Sequence, residues 1–211
     1  MQIEQQDFAH THGVSRETIH KLSTYQNLLV EWNEKFNLVA SSTLPHIWTR
    51  HFSDSAQLMR FIPDTATSLA DMGAGAGFPG LVLAIMAQEK PKPIHIHAIE
   101  GTGKKADFLQ TVVDELKLNV TVRRERIEAI RDLKTDIVTA RALKALPELL
   151  KYANYLMHKD TICLFLKGKS AAEELTEAQK CWIFKEEIHP SRSDDSGRVL
   201  VLKDIRYKSR R

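Results

Sequence analysis

The sequence predicts an α/β sandwich, a mostly parallel sheet covered by helices on both faces, with a helical cap at its N-terminal end. Three observations carry this. From Ser68 onward, short apolar runs alternate with helical patterns, as in consecutive βαβ units. The first 65 residues lack such runs and show an apolar stripe at helical spacing instead. Two more apolar runs flank a polar loop near the end, which predicts an antiparallel pair closing one sheet edge.

The elements follow in order. Leu22, Tyr25, Leu29, Trp32 and Phe36 recur at spacings of three and four, one buried face of a helix. Ser15 is its expected N-cap, with Glu17 in the first turn. A second helix is expected over 44–61, offering Ile47, Leu58, Phe61 and Ile62 for burial, and Pro63 ends it. Strands are expected at Ser68–Met72, Ile94–Ile99, Val120–Arg123, Ile137–Thr139 and Ile162–Leu166, separated by helices at 80–88, 103–117, 126–131 and 144–157. Trp182–Ile188 and Arg198–Ile205 form the closing pair around the loop 190–197. The division is a cap, 1–65, and a core, 66–211, in one compact domain; 211 residues suffice for a single core without staples.

Composition narrows the class. Hydrophobic residues are 43% and charged residues 27%, the balance of a soluble globular protein. Two cysteines, Cys163 and Cys181, are too few for a disulfide framework or a zinc site, and His95 and His97 have no matching ligand spacing, so no metal is expected. No apolar stretch is long enough to span a membrane, and no signal peptide is visible, so the expected location is the cytoplasm. Of the net charge of +3, residues 203–211 alone hold +4, a basic tail suited to a polyanion or simply a solvated terminus.

The most informative segment is Asp71-Met-Gly-Ala-Gly-Ala-Gly-Phe-Pro-Gly80, between a strand and a helix. Glycines there let backbone approach a ligand at a helix N-terminus. Gly75, Gly77 and Gly80 satisfy the dinucleotide pattern G-x-G-x-x-G, which is weak alone. Asp71 is awkward under a pyrophosphate and suits the ammonium of a methionine moiety. Glu100, ending the next strand, is positioned to accept from both hydroxyls of a ribose. Together they favour S-adenosylmethionine over NAD. Ile127 and Glu128 follow the third strand, where an adenine would lie, although a plain helix start explains them equally.

These residues belong to a longer series. The glycine loop with Phe78-Pro79-Gly80, Gly103-Lys-Lys-x-x-Phe-Leu109, Thr139-Ala-Arg-Ala142 and Lys167-Gly168 occur in order, preceded by Trp32-Asn33, Asn37-Leu38 and Arg50-His-x-x-Asp-Ser55. Over roughly residues 20–205 the chain resembles the bacterial 16S rRNA guanine-N7 methyltransferases, the RsmG or GidB family. The resemblance implies a Rossmann-like class I S-adenosylmethionine-dependent methyltransferase acting on guanine 527 in the 530 loop of 16S rRNA. It implies cofactor contacts at Gly73, Phe78, Ile127, Glu128 and Arg141, beside Asp71, Gly75, Gly77 and Glu100 from the loop argument. Three departures stand out: Glu100-Gly101 replaces an Asp-Ser pair, Val39 a Thr, and Ala140 a Ser.

The resemblance also implies that Arg50, His51 and Asp54 line the target site; the plainer reading is an i,i+4 pair between Arg50 and Asp54. Lys104 and Lys105 open a helix, where the dipole disfavours cations, which points to RNA phosphates. Lys167, Lys169, Arg123, Arg124, Arg126, Arg192, Arg198 and the tail are expected to form a basic collar. There is no Asp/Asn-Pro-Pro-aromatic motif for amino-group methylation, and neither cysteine follows a proline, as attack on cytosine would suggest. A ring nitrogen or an oxygen remains, served by alignment with no general base. The expected partner is 16S rRNA or the small ribosomal subunit, engaged by a monomer. The alternatives are a small-molecule methyltransferase, an NAD-dependent oxidoreductase and a non-catalytic ribosome-assembly factor.

Overall fold

The computed structural model describes residues 3–208. Seven strands form one sheet in the order β3-β2-β1-β4-β5-β7-β6. Strands β1 (Ser68–Met72), β2 (His95–Ile99), β3 (Val120–Arg123), β4 (Thr135–Arg141) and β5 (Met157–Lys167) are parallel; β7 (Arg198–Tyr207) pairs antiparallel with β5 and with β6 (Trp182–Pro190). The closing pair at the edge is as the polar loop predicted. Strand order reverses between β1 and β4, the crevice where open α/β sheets bind ligands.

Each face of the sheet carries its own apolar core. On one side lie α1 (Ile3–His12), α2 (Arg16–Phe36), α4 (Gly80–Ala87) and α5 (Gly103–Leu116), joined by Leu69, Ile96 and Ile137 of the sheet. On the other lie α6 (Leu146–Leu156) and α7 (Ala171–Cys181), packed on Ala70, Val138 and Phe165. The side-chain alternation of the strands divides these residues between the two faces. The N-terminal helices share the first core with the sheet, with Leu22, Tyr25 and Leu29 fully buried.

Local chemistry explains the helix ends. Ser15 caps α2 by accepting from the Thr18 N–H at 3.3 Å. At the other end Asn37 takes a left-handed φ of 47°, and the Asn33 Oδ1 accepts from the Val39 N–H at 2.8 Å. That turn accounts for Asn33 and Asn37 of the two motifs, while Trp32 packs against Phe36 and Phe108 and Leu38 joins the core.

Two expected helices are corrected. The span 44–61 is not one helix: a 3₁₀ turn (Ser41–His46), a π turn (Trp48–Ser53), a single α-helical turn α3 (Asp54–Ala56) and another 3₁₀ turn (Gln57–Phe61) follow one another. The wide π turn buries Trp48, His51 and Phe52 together, with the Trp48 indole N–H donating to Gln26 at 2.8 Å. The expected helix 126–131 shrinks to a 3₁₀ turn, Ile127–Ala129. Helix α7 was not expected; only Ala171, Leu175 and Ala178 are buried on it, too sparse a stripe to read from the sequence.

Candidate active site

Two clefts meet at the carboxyl ends of the strands and share Arg141 and Ala142. The first, about 430 Å³, lies among Gly73, Gly75, Glu100, Ile127, Glu128 and Leu143. The second, about 500 Å³, lies between the π turn and the β6–β7 loop, lined by Arg50, His51, Asp54, Ser193, Asp194 and Arg198 among others. Both fall in the ~300–1,000 Å³ range of small-molecule sites.

The glycine loop shapes the first cleft. Gly73, Gly75 and Gly77 have φ of 65°, 58° and 95°. A Cβ on Gly75 would meet nothing closer than the Gly73 carbonyl at 3.7 Å, so its open side is free for a ligand. Glu100 locks the loop in place: one carboxylate oxygen accepts from the Gly75 N–H at 2.9 Å, the other from the Thr102 N–H at 2.8 Å. A carboxylate offers about four lone pairs, so each oxygen keeps one for a ribose hydroxyl. Ile99, Ile127 and Leu143 supply apolar wall for an adenine, and Lys105, Arg126 and Lys144 bring positive charge. This donor and acceptor set fits S-adenosylmethionine.

Asp71 is a correction. It does not line the cleft; it is fully buried, accepting from the Gly80 N–H at 2.9 Å and the Thr139 hydroxyl at 3.0 Å. Burial pushes its carboxyl up to about 7, against the lowering effect of those two bonds. Its work is to tie β1 to the start of α4. Gly77 and Phe78 also stand outside the cleft. The space a Gly77 side chain would need holds the Tyr25 hydroxyl and Leu81, and the Tyr25 O–H donates to the Ala76 carbonyl. Phe78 stacks with Tyr25 at 5.5 Å and with His51 at 4.8 Å.

Arg141 links the clefts. Its guanidinium lies over Phe78, donates to the His51 Nδ1 at 2.9 Å and to the Arg50 carbonyl at 3.2 Å, and pairs with Asp54 at 3.3 Å. Since the guanidinium only donates, the His51 Nδ1 must accept. The His51 proton therefore sits on Nε2, 2.8 Å from the Thr43 hydroxyl. Burial, with Arg141 and Arg50 nearby, lowers His51 to about 4, so it is neutral at pH 7. The Asp54 Oδ1 accepts from Ser193 at 2.6 Å, Gln57 at 2.9 Å and Ser191 at 3.2 Å, hanging the β6–β7 loop over the second cleft. None of these contacts shows in the sequence beyond the spacing of Arg50, His51 and Asp54.

The basic collar is thinner than expected. Arg123 is held by Glu125 at 2.6 Å and Asp132 at 2.8 Å. Lys167 is nearly buried against Glu174 at 2.7 Å and donates to the Lys144 carbonyl at 2.8 Å. Arg123 is thereby turned to carboxylates beyond both clefts, whereas Lys167, though paired, still lines the second cleft. Arg124 pairs with Asp107 at 2.7 Å, and Lys104 sits over the Phe36 ring, outside both clefts. Lys105 lines the first cleft; Arg50 and Arg198 line the second. The end of the basic tail, Ser209–Arg211, lies outside the described residues. Among the described residues no cluster of His, Cys, Asp and Glu could hold a metal, and no helix is long and apolar enough to cross a membrane.

The GidB family, rRNA small subunit methyltransferase G, matches residues 18–196 of this chain. A protein named ribosomal RNA small subunit methyltransferase G from Rhodospirillum centenum is 46% identical over 199 residues, covering 94% of this chain and 90% of its own. One of the same name from Caulobacter vibrioides is 42% identical over 193 residues, covering 92% and 88%. Among solved structures, the fold is similar to a putative O-methyltransferase from Klebsiella pneumoniae (TM-score 0.54, 13% identity, 85% of this chain and 90% of that one). It is also similar to M. jannaschii TYW2 in complex with AdoMet (TM-score 0.54, 17% identity, 74% and 77%). These two likenesses show the class I methyltransferase fold.

Proposed function

The chain belongs to the GidB family of small-subunit rRNA methyltransferases, and on that premise we propose that it methylates N7 of guanine 527 in the 530 loop of 16S rRNA. It is an S-adenosylmethionine-dependent rRNA methyltransferase. The enzyme acts as a monomer in the cytoplasm. The observation that carries the proposal is the pair of clefts joined at Arg141, one fitted to a nucleoside and one open beside it.

S-adenosylmethionine supplies an activated methyl group when bound in the first cleft. There Glu100 receives the ribose, while Gly75 lets backbone approach, Gly73 packs on Leu143 at the cleft wall, and Ile127 flanks the adenine. Arg50 and His51 line the second cleft beside the incoming base. Arg141, which lines both clefts, serves the cofactor carboxylate or an RNA phosphate, because a cation against the ring would oppose the positive charge that develops on the base. His51 is neutral, and its free nitrogen is capped by Arg141, so it is no proton acceptor. That suits N7 of guanine, which carries a lone pair at neutral pH and gains a methyl without losing a proton. The residues then act by alignment, which can supply up to about 7–11 kcal/mol.

The test is to incubate the protein with labelled S-adenosylmethionine and undermethylated small subunits and to map the label. Label at N7 of one guanine of 16S rRNA is expected. Single-turnover transfer should be nearly flat between about pH 6.5 and 9, because no side chain has to change protonation. A tenfold rise per pH unit that collapses in His51→Ala would mean a base is at work and another atom is the target. Equal rates on a free guanine nucleoside would favour a small-molecule enzyme.

A further inference from the structure

Resting on the reading of the second cleft as the acceptor site, we infer that Asp194 is its specificity-determining residue and recognises guanine by its paired N–H donors. Three carboxylates line that cleft: Asp54, Glu174 and Asp194. In a cleft that receives RNA, each of them repels every phosphate, so each needs a separate reason to be there.

Two have one inside the fold. Glu174 accepts from Lys167 at 2.7 Å, the Ser170 hydroxyl at 2.6 Å and the Leu146 N–H at 2.7 Å. Asp54 holds Arg141 and the serines of the β6–β7 loop. Asp194 differs. Its Oδ1 builds the loop, accepting from the Ser196 N–H at 2.8 Å and hydroxyl at 2.7 Å. Its Oδ2 lies 3.6 Å from the Arg50 Nη1, too long for a hydrogen bond, with the two side chains 47% and 52% exposed, and the nearby Gly197 N–H adds a weaker pull on the carboxylate. An exposed pair of this kind is worth little and is easily exchanged for another partner. The loop thus presents, on a fixed turn, a carboxylate with vacant acceptor capacity facing the cleft.

The ligand that satisfies such a carboxylate is defined by chemistry. A carboxylate accepts two parallel N–H bonds from neighbouring donors. Guanine alone among the RNA bases carries two adjacent donors, its ring N–H and its exocyclic amine. Adenine and cytosine set an acceptor nitrogen beside their amine, and uracil flanks its N–H with two carbonyls, so each turns a lone pair toward the acid. Reading the Watson–Crick edge is how a flipped-out base is recognised. In guanine that edge lies away from N7, as Asp194 lies on the second cleft and not on the first.

The experiment uses small subunits carrying guanosine or inosine at the target position. Inosine keeps N7, the carbonyl and the ring N–H and lacks only the exocyclic amine. The wild-type protein should prefer guanosine by about 10-fold or more in kcat/KM. Asp194→Asn preserves the acceptor for Ser196 and removes the second carboxylate oxygen. It should cost about 30-fold or more on guanosine and compress the preference to within about threefold, with S-adenosylmethionine affinity and melting temperature unchanged. Asp195→Asn removes the same charge one residue away and should behave as wild type. An undiminished preference in Asp194→Asn, or the same loss in Asp195→Asn, overturns the inference while leaving the function intact. If the wild-type protein places no methyl on N7 of a subunit guanine, the functional reading fails first.

Discussion

Glu100 shows how one side chain can serve the fold and the ligand together. Its two oxygens hold the Gly75 and Thr102 N–H groups, so the carboxylate that would receive a ribose also fixes the loop around it. Glu100→Gln keeps the length and one acceptor oxygen but turns the other into a donor facing a backbone N–H. A buried donor left unsatisfied costs about 1–3 kcal/mol. S-adenosylmethionine affinity should therefore fall by about 10- to 100-fold in titration calorimetry, a loss that charge alone would not predict for a neutral ribose. Affinity within twofold of wild type would remove Glu100 from the site. Its partner in the sequence argument, Asp71, was legible as important and misread as to role. An acid before a glycine loop looks like a ligand contact, but the register of β1 turns it into the core, where Gly80 and Thr139 absorb it.

At the scale of elements, the glycine loop divides into an open half and a packed half. Gly75 borders free space, whereas a Cβ on Gly77 would lie 2.5 Å from the Tyr25 hydroxyl and 2.6 Å from Leu81. Gly75→Ala should thus lose about 1–2 kcal/mol of stability, the cost of a left-handed non-glycine residue, and weaken cofactor binding. Gly77→Ala adds a clash in the core to that strain, and overpacking costs a further 1–3 kcal/mol or so. Thermal or denaturant melts of the two variants decide it; equal losses would mean the loop relaxes freely. The strands and α2, α5 and α6 were legible because apolar runs and periodicity are set by the face each element buries, and α4, buried on every side, was legible from its place after the glycine loop. The π turn was not. Its apolar residues suit a regular helix, and the departure comes from seating Trp48 and Phe52 against Phe8 and Tyr25, contacts made across the cap. The collar failed for a similar reason: whether Arg123 or Lys167 is free depends on Asp132 and Glu174, which no local pattern brings near.

Across the whole molecule, burial of titratable groups sets a pH dependence of stability. Three histidines are lowered from 6.5 to about 4, and in each the largest cause is burial: His12 and His51 within the cap, and His97 on β2. A histidine that stays neutral in the fold but takes a proton when unfolded gives an unfolded state that binds more protons. Stability is then full above about pH 6.5 and lost progressively as pH falls toward 4. Asp71 acts with the opposite sign. Its carboxyl is raised from 3.8 to about 7, so the fold holds an extra proton between those values and gains stability as pH falls. Asp136, lowered to about 2, contributes only below about pH 4. Between pH 7 and 5 the three histidines outweigh the one aspartate, and the melting temperature should drop. Asp71→Asn retains an acceptor for the Gly80 N–H and a polar partner for Thr139 but removes the opposing titration. Its melting temperature should fall more steeply than wild type over the same range, and should gain on wild type most at pH 7 and above, where the buried charge is otherwise present. Calorimetric scans of both proteins at pH 7, 6 and 5 measure this. A wild-type melting temperature that is flat or rises toward pH 5 would show that the histidines are not held neutral by the fold, and His51 would regain standing as a group able to change protonation beside the base.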